Sequence, residues 1–169
     1  MPAARAAVAA HVGVDASRVM LTASTSEAYS FLFALFCDPG DEVLAPAPSY
    51  PLFAQLADLA GVRLVPYRLR YDGAWHVDLA SLRAARTERS RAILVVSPNN
   101  PTGSRLGRDE LAAMESLDLP VISDEVFAQY IFREGRDRVA CAAKEASRAL
   151  VFSLGGLSKE AALPQMKLA

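Results

Sequence analysis

Lys159 sits in Gly155-Gly156-Leu157-Ser158-Lys159, directly after a short apolar run. Lysine recurs only at Lys144 and Lys167; the other basic residues are arginine. A lysine beside a helix start and other cations has a lowered pKa and can form a Schiff base with a carbonyl. A solvated surface lysine is the competing reading. Asp124 ends the run Val121-Ile122-Ser123. It can cap a helix. It can equally face a pyridinium nitrogen beside a Schiff-base lysine, the pair that pyridoxal phosphate chemistry uses. Ser24, Thr25 and Ser26 open a helical stretch. The unpaired N–H groups and positive dipole of a helix start favour a phosphate there. Ser24-x-x-Glu27 reads just as well as a capping box. No GxGxxG or GxxxxGK[ST] occurs, so a dinucleotide or nucleoside triphosphate loop is unsupported. Cys37, Cys141, His11 and His76 stand apart from one another, without metal-ligand spacing. They read as structural residues, with neither a metal site nor a disulfide.

The elements that must position these groups alternate along the chain. Apolar, β-branched runs at 19–22, 42–45, 62–67, 92–96, 120–123 and 149–153 suit strands buried on both faces. Helical stretches fall at 26–37, 50–59, 79–86, 108–117 and 139–147. Asp38-Pro39-Gly40-Asp41 stops the first of these helices, and Asp78 is placed to cap the third. The Ala-rich start could pass for a weak signal peptide. His11 and Asp15 follow too closely for a long apolar region, so it reads as a helix ending near Gly13. Strand–helix alternation predicts an α/β fold, a mostly parallel sheet with helices on both faces and right-handed crossovers.

Ligands of such sheets bind beyond the carboxyl ends of the strands. Polar or aromatic clusters follow every predicted strand but the third. They include Ser24-Thr25-Ser26, Ser49-Tyr50, Asn99-Asn100, Asp124 with Phe127, and Ser158-Lys159. Their convergence on one sheet edge is the main sign of a site.

Composition narrows the partners. The chain has 169 residues, 52% hydrophobic and 22% charged, which is enough to bury a real core. The net charge of -1, without a basic block, argues against nucleic acid. No apolar run is long enough to span a bilayer.

Three motifs resemble the class I/II aminotransferases of the aspartate aminotransferase fold (fold type I). They are Ser97-Pro98-Asn99-Asn100-Pro101-Thr102-Gly103, Ser123-Asp124-Glu125-Val126 and Ser153-Leu154-Gly155-Gly156-Leu157-Ser158-Lys159. Ser24-Thr25-Ser26-Glu27-Ala28 and Pro39-Gly40-Asp41-Glu42-Val43-Leu44 match the same family in the same order. The resemblance implies a pyridoxal 5'-phosphate enzyme that moves an amino group from an amino acid to a 2-oxo acid. Lys159 would carry the cofactor as a Schiff base and shuttle the substrate α-proton. Asp124 would hold the ring nitrogen protonated, Asn100 would bond the ring 3-hydroxyl oxygen, and Tyr50 would stack on the ring. Thr25 and Ser26, with Ser24, would hold the phosphate at the helix N-terminus, and Ser158 would be a further cofactor-binding residue. Lys167 stands where the family usually has a phosphate-binding Arg.

The sequence departs from the pattern at three places. Phe127 replaces a Tyr that in many members donates to the 3-hydroxyl oxygen. Lys167 keeps a charge but lacks the guanidinium fork. Gly156 replaces a Ser that some members use for phosphate. The resemblance further implies a homodimer, and the lack of a convincing targeting signal points to the cytoplasm. Residues 1–169 would be the central part of the cofactor-binding large domain, with the N-terminal arm and small C-terminal domain outside the chain. Lyases, decarboxylases and synthases of the same fold use the same core residues. A cofactor-binding fragment without activity is the other alternative.

Overall fold

The structure, a computed structural model, describes residues 1–131 and 137–169. Among these residues a six-stranded sheet forms the centre. Its strands are β1 (Glu42–Ala47), β2 (Arg63–Tyr71), β3 (Trp75–Val77), β4 (Ser90–Val96), β5 (Val121–Asp124) and β6 (Val151–Leu154). Their spatial order is β3-β2-β1-β4-β5-β6. All neighbours are parallel except β3, which returns antiparallel on β2. The helices are α1 (Pro2–Val12), α2 (Thr25–Phe36), α3 (Leu52–Leu59), α4 (Leu79–Ala85), α5 (Arg108–Glu115), α6 (Ala142–Glu145) and α7 (Leu157–Glu160).

Side chains alternate across a strand, and here each face feeds its own core. Leu44, Ile93, Val95 and Val121 pack with Leu82, Leu111, Met114 and Ala142 of α4, α5 and α6. Val43, Ala45, Leu94 and Ile122 pack with Tyr29 and Phe33 of α2 and with Phe53 and Ala57 of α3. The result is the expected α/β/α layering. Strand parity then fixes the direction of Asp124: it follows Ile122 by two residues, so it faces α2 and α3.

Local chemistry explains the element ends. α1 stops at Gly13, whose φ of 76 is left-handed and suits a glycine. Asp78 caps α4 by accepting from the Ser81 amide at 3.0 Å. The hairpin to β3 turns through Gly73 (φ 104), and Tyr71 faces Trp75 across it with ring centroids 5.4 Å apart. The sequence pattern did not single out β3, a strand of three residues at the edge of the sheet.

Two expectations are corrected. Residues 19–22 do not form a strand of the sheet. Thr22 instead exchanges both backbone hydrogen bonds with Ala169, each at 2.9 Å, at one end of that run. The helix expected at 139–147 contracts to Ala142–Glu145. Its continuation is blocked because the amides of Ser147, Arg148 and Ala149 turn to Glu115, donating to Oε1 at 2.7, 2.6 and 3.1 Å. That carboxylate anchors the segment leading into β6. No helix among the described residues is long and apolar enough to cross a membrane.

Burial opposes the charge on Glu115, but the three N–H donors outweigh it and hold its pKa below the ordinary carboxylate value. A folded-state pKa below the unfolded one stabilises fully above the unfolded value. The contribution is lost as pH falls through the folded value. We predict that Glu115→Leu lowers unfolding stability by about 1 to 3 kcal/mol near neutral pH, because it removes the acceptor of three part-buried amides. Denaturant titration should show this deficit shrinking as the pH is taken below the carboxylate range. A deficit independent of pH would refute the charged role.

Candidate active site

Parallel strands end together, so β1, β4, β5 and β6 deliver their following loops to one edge. The N-terminus of α2 arrives at the same edge. Between them lies a cleft of about 190 Å³. Ser24, Thr25 and Ser26 form one wall, and Tyr50 and Asn100 come from the loops after β1 and β4. Asp124 and Phe127 come from β5 and its loop, and Ser158 and Lys159 from α7. Every candidate site residue named from the sequence therefore lines this cleft except Lys167. Lys167 is exposed, in left-handed backbone (φ 48) after the turn Pro164–Met166, while its neighbours Leu168 and Ala169 do reach the cleft.

Asp124 is the buried charge of the site, 6% exposed. Its Oδ2 accepts from the Tyr29 hydroxyl at 2.8 Å and its Oδ1 from the Val126 amide at 3.2 Å. No basic side chain forms an ion pair with it among the described residues. Burial raises its pKa, and the bonds from Tyr29 and Val126 act the other way. The Tyr29 phenol is pushed well above its usual value by burial first and by the Asp124 charge second. It is a fixed donor. A buried carboxylate without a cation among the described residues, opening into a cleft, suits a ligand that brings its own positive charge.

At the opposite wall, both readings of Ser24 meet. Its Oγ accepts from the Glu27 amide at 3.2 Å, and Glu27 Oε2 accepts from the Ala23 amide at 2.7 Å, so a cap is formed. Thr25 and Ser26 still present hydroxyls and first-turn amides to the cleft, and those amides have no partner within the helix. The donor set suits an anion with several oxygens.

Lys159 belongs to a single helical turn, and its chain is braced rather than its amine. Tyr130 donates its hydroxyl to the Lys159 carbonyl at 2.8 Å. Glu160 Oε1 takes His11 Nε2 at 2.6 Å and Gln129 Nε2 at 3.2 Å. The Nζ lies over the Phe127 ring, 5.9 Å from its centroid. Gly156 lies against the chain end, where an added Cβ would stand 3.4 Å from Ala169 Cβ, an ordinary contact.

Sequence reasoning missed Tyr29, and it placed Asn99 in the cluster after β4 without a role. Asn99 is buried and ties two loops together. Its Nδ2 donates to the Pro48 carbonyl at 3.1 Å and to Thr102 Oγ1 at 2.9 Å. Ser49 Oγ donates back to its Oδ1 at 3.2 Å. This brace holds the loop of Tyr50 against the loop of Asn100. A signal for Tyr29 existed: it lies four residues after Thr25, on the same helix face as the start of α2. His11 and His76 (the latter accepting from Arg70 Nε at 3.0 Å) both sit in ordinary side-chain contacts.

Comparison with known proteins agrees with this geometry. The family model described as aminotransferase class I and II matches residues 1–169. A tyrosine aminotransferase of Bos taurus is 27% identical over 92% of the chain. An alanine aminotransferase of Mycobacterium tuberculosis is 32% identical over 86% of it. The solved structure of an alanine aminotransferase from Pyrococcus furiosus superposes with a TM-score of 0.88 at 32% identity, covering 99% of this chain and 44% of that one. The chain spans about a third of the length of the curated relatives, 35% and 34% respectively. With the family model covering all 169 residues and the fold shared, the chain belongs to the class I and II aminotransferase family.

Proposed function

We propose that residues 1–169 are the central part of the cofactor-binding large domain of a pyridoxal 5'-phosphate-dependent aminotransferase. The full protein would transfer an amino group from an amino acid to a 2-oxo acid. The observation that carries this reading is Asp124: a buried carboxylate without a basic partner among the described residues, in one cleft with Lys159 and the start of α2. The bound cofactor supplies an electron sink for the carbanion that forms when a substrate loses its α-proton.

This chain's residues divide the work. Asp124 holds a proton on the ring nitrogen. Thr25 and Ser26, with the first-turn amides of α2, hold the phosphate, and Ser24 keeps that turn capped. Tyr50, 44% exposed and packed edge-on against Phe53 with centroids 5.7 Å apart, offers a ring face to the cofactor. Asn100 donates to the ring oxygen, and Phe127 can give that oxygen no second donor. Lys159 is the covalent attachment point and then the base that moves the α-proton, with Ser158 beside it. Lys167, lying away from the cleft, has no part in holding the phosphate in this reading. A homodimer follows from the family resemblance, and the cytoplasm is the compartment of this reading.

Two outcomes test the assignment. Borohydride reduction of the full-length protein loaded with pyridoxal phosphate, followed by peptide mapping, should label Lys159. A label on Lys144 or Lys167 instead would sink the assignment. Asp124→Ala should lower turnover by roughly two to three orders of magnitude, the scale of losing a buried charge partner, while reduction still labels Lys159. Unchanged turnover would remove Asp124 from the reaction.

A further inference from the structure

Tyr29 is 1% exposed and sits among aromatic rings. Its ring meets Phe53 edge-on, with centroids 5.2 Å apart, and Phe33 at 5.9 Å. Phenylalanine would satisfy that packing. A phenol there also buries a hydroxyl, which is unfavourable unless the hydroxyl is bonded. Its partner is Asp124 Oδ2, 95 residues away in sequence.

We propose that Tyr29 is a positioning residue for the reaction, its hydroxyl fixing the orientation and charge of the Asp124 carboxylate that would meet the cofactor's ring nitrogen. The proposal rests on the reading of the cleft given above. Four observations support it. The Tyr29 bond, at 2.8 Å, is shorter than the Val126 bond at 3.2 Å, and these two are the donors to Asp124 among the described residues. The flanking strands bring only apolar partners, Val96 from β4 and Leu154 from β6. Lys159, the other charged group lining the cleft, makes no ion pair with Asp124. Finally, one short oxygen-to-oxygen bond and one amide bond leave acceptor capacity on the carboxylate for a ring N–H.

The placement of Tyr29 adds a geometric role. It lies one helical turn beyond Thr25, about 6 Å along α2. The same rigid helix therefore presents the phosphate-binding turn and steadies the carboxylate at the ring nitrogen. The spacing between those two anchors is set by a helix rather than by two independent loops.

The test uses the full-length protein with pyridoxal phosphate labelled with 15N in the ring. In the wild type the bound ring nitrogen should give the signal of a protonated pyridine. In Tyr29→Phe that signal should move toward the neutral form, and kcat should fall about tenfold or more, the scale of one hydrogen bond to a charged group. Phe33→Leu perturbs the same aromatic cluster without touching Asp124. It should lower the melting temperature and leave the nitrogen signal in place. A Tyr29→Phe protein with wild-type signal and kcat would overturn the proposal. So would a signal moved as far by Phe33→Leu, which would make the effect one of packing. A wild type that binds pyridoxal phosphate but keeps its ring nitrogen neutral would overturn the proposal and the role of Asp124 together. Failure of the wild type to bind pyridoxal phosphate would overturn the whole reading of the cleft.

Discussion

A carboxylate buried at the end of a central strand is the constraint around which this structure is arranged. Asp124 lies at the tip of β5, between β4 and β6, with 6% of its surface exposed. Charge in such a place needs donors, and eventually a cation. The fold provides the donors from two directions: the Val126 amide from the following turn and the Tyr29 hydroxyl from α2. The cation it leaves to the cleft. Strand parity makes this possible. A one-residue slip in β5 would send Asp124 into the opposite core and bring Ser123 to the α2 face.

The loops around the cleft are held by buried polar groups rather than by packing. Asn99 stitches the loop after β1 to the loop after β4. Glu125, next to Asp124 but facing the other side, accepts from Ser153 Oγ and from the Ala142 amide, each at 2.8 Å. Glu115 gathers the three amides ahead of β6. Each brace joins elements distant in sequence, and each is satisfied by several bonds, so the loops are rigid where the cleft needs them to be. Apolar burial builds the two faces of the sheet, while these carboxylates and amides set the edge.

Much of this was legible in the sequence because a parallel sheet has a simple rule. Strand ends share an edge, so the clusters after successive strands must meet. That rule brought together Tyr50, Asn100, Asp124, Phe127 and Lys159, whereas Ser24 to Ser26 reach the same edge as the start of α2 and not as the end of the strand expected at 19–22. Lys167 was named from the family resemblance and not from that rule, and it lies outside the cleft in left-handed backbone after a turn. The rule missed Tyr29 and gave Asn99 no role, because those roles come from partners 95 and 51 residues away. Such pairings depend on which strands become neighbours, and no local pattern carries that order. The early end of α6 has the same origin, since the residue that stops it, Glu115, lies on another helix.

The charges of the cleft bear on how it would hold a phosphorylated cofactor. Lys159 is the one basic side chain lining it among the described residues, and on the proposed reading that amine is consumed in covalent attachment. A phosphate at the start of α2 would then be held by hydroxyls, first-turn amides and the helix dipole, without a guanidinium fork from these residues. Dipoles and neutral donors stabilise an anion only where they are fixed in advance. Here they are fixed, because Ser24 and Glu27 lock the first turn of α2 and Tyr29 ties the next turn to Asp124. The cap and the buried carboxylate thus serve one another: the helix that steadies the charge at the ring end is kept in place, at its other end, by the turn that meets the phosphate.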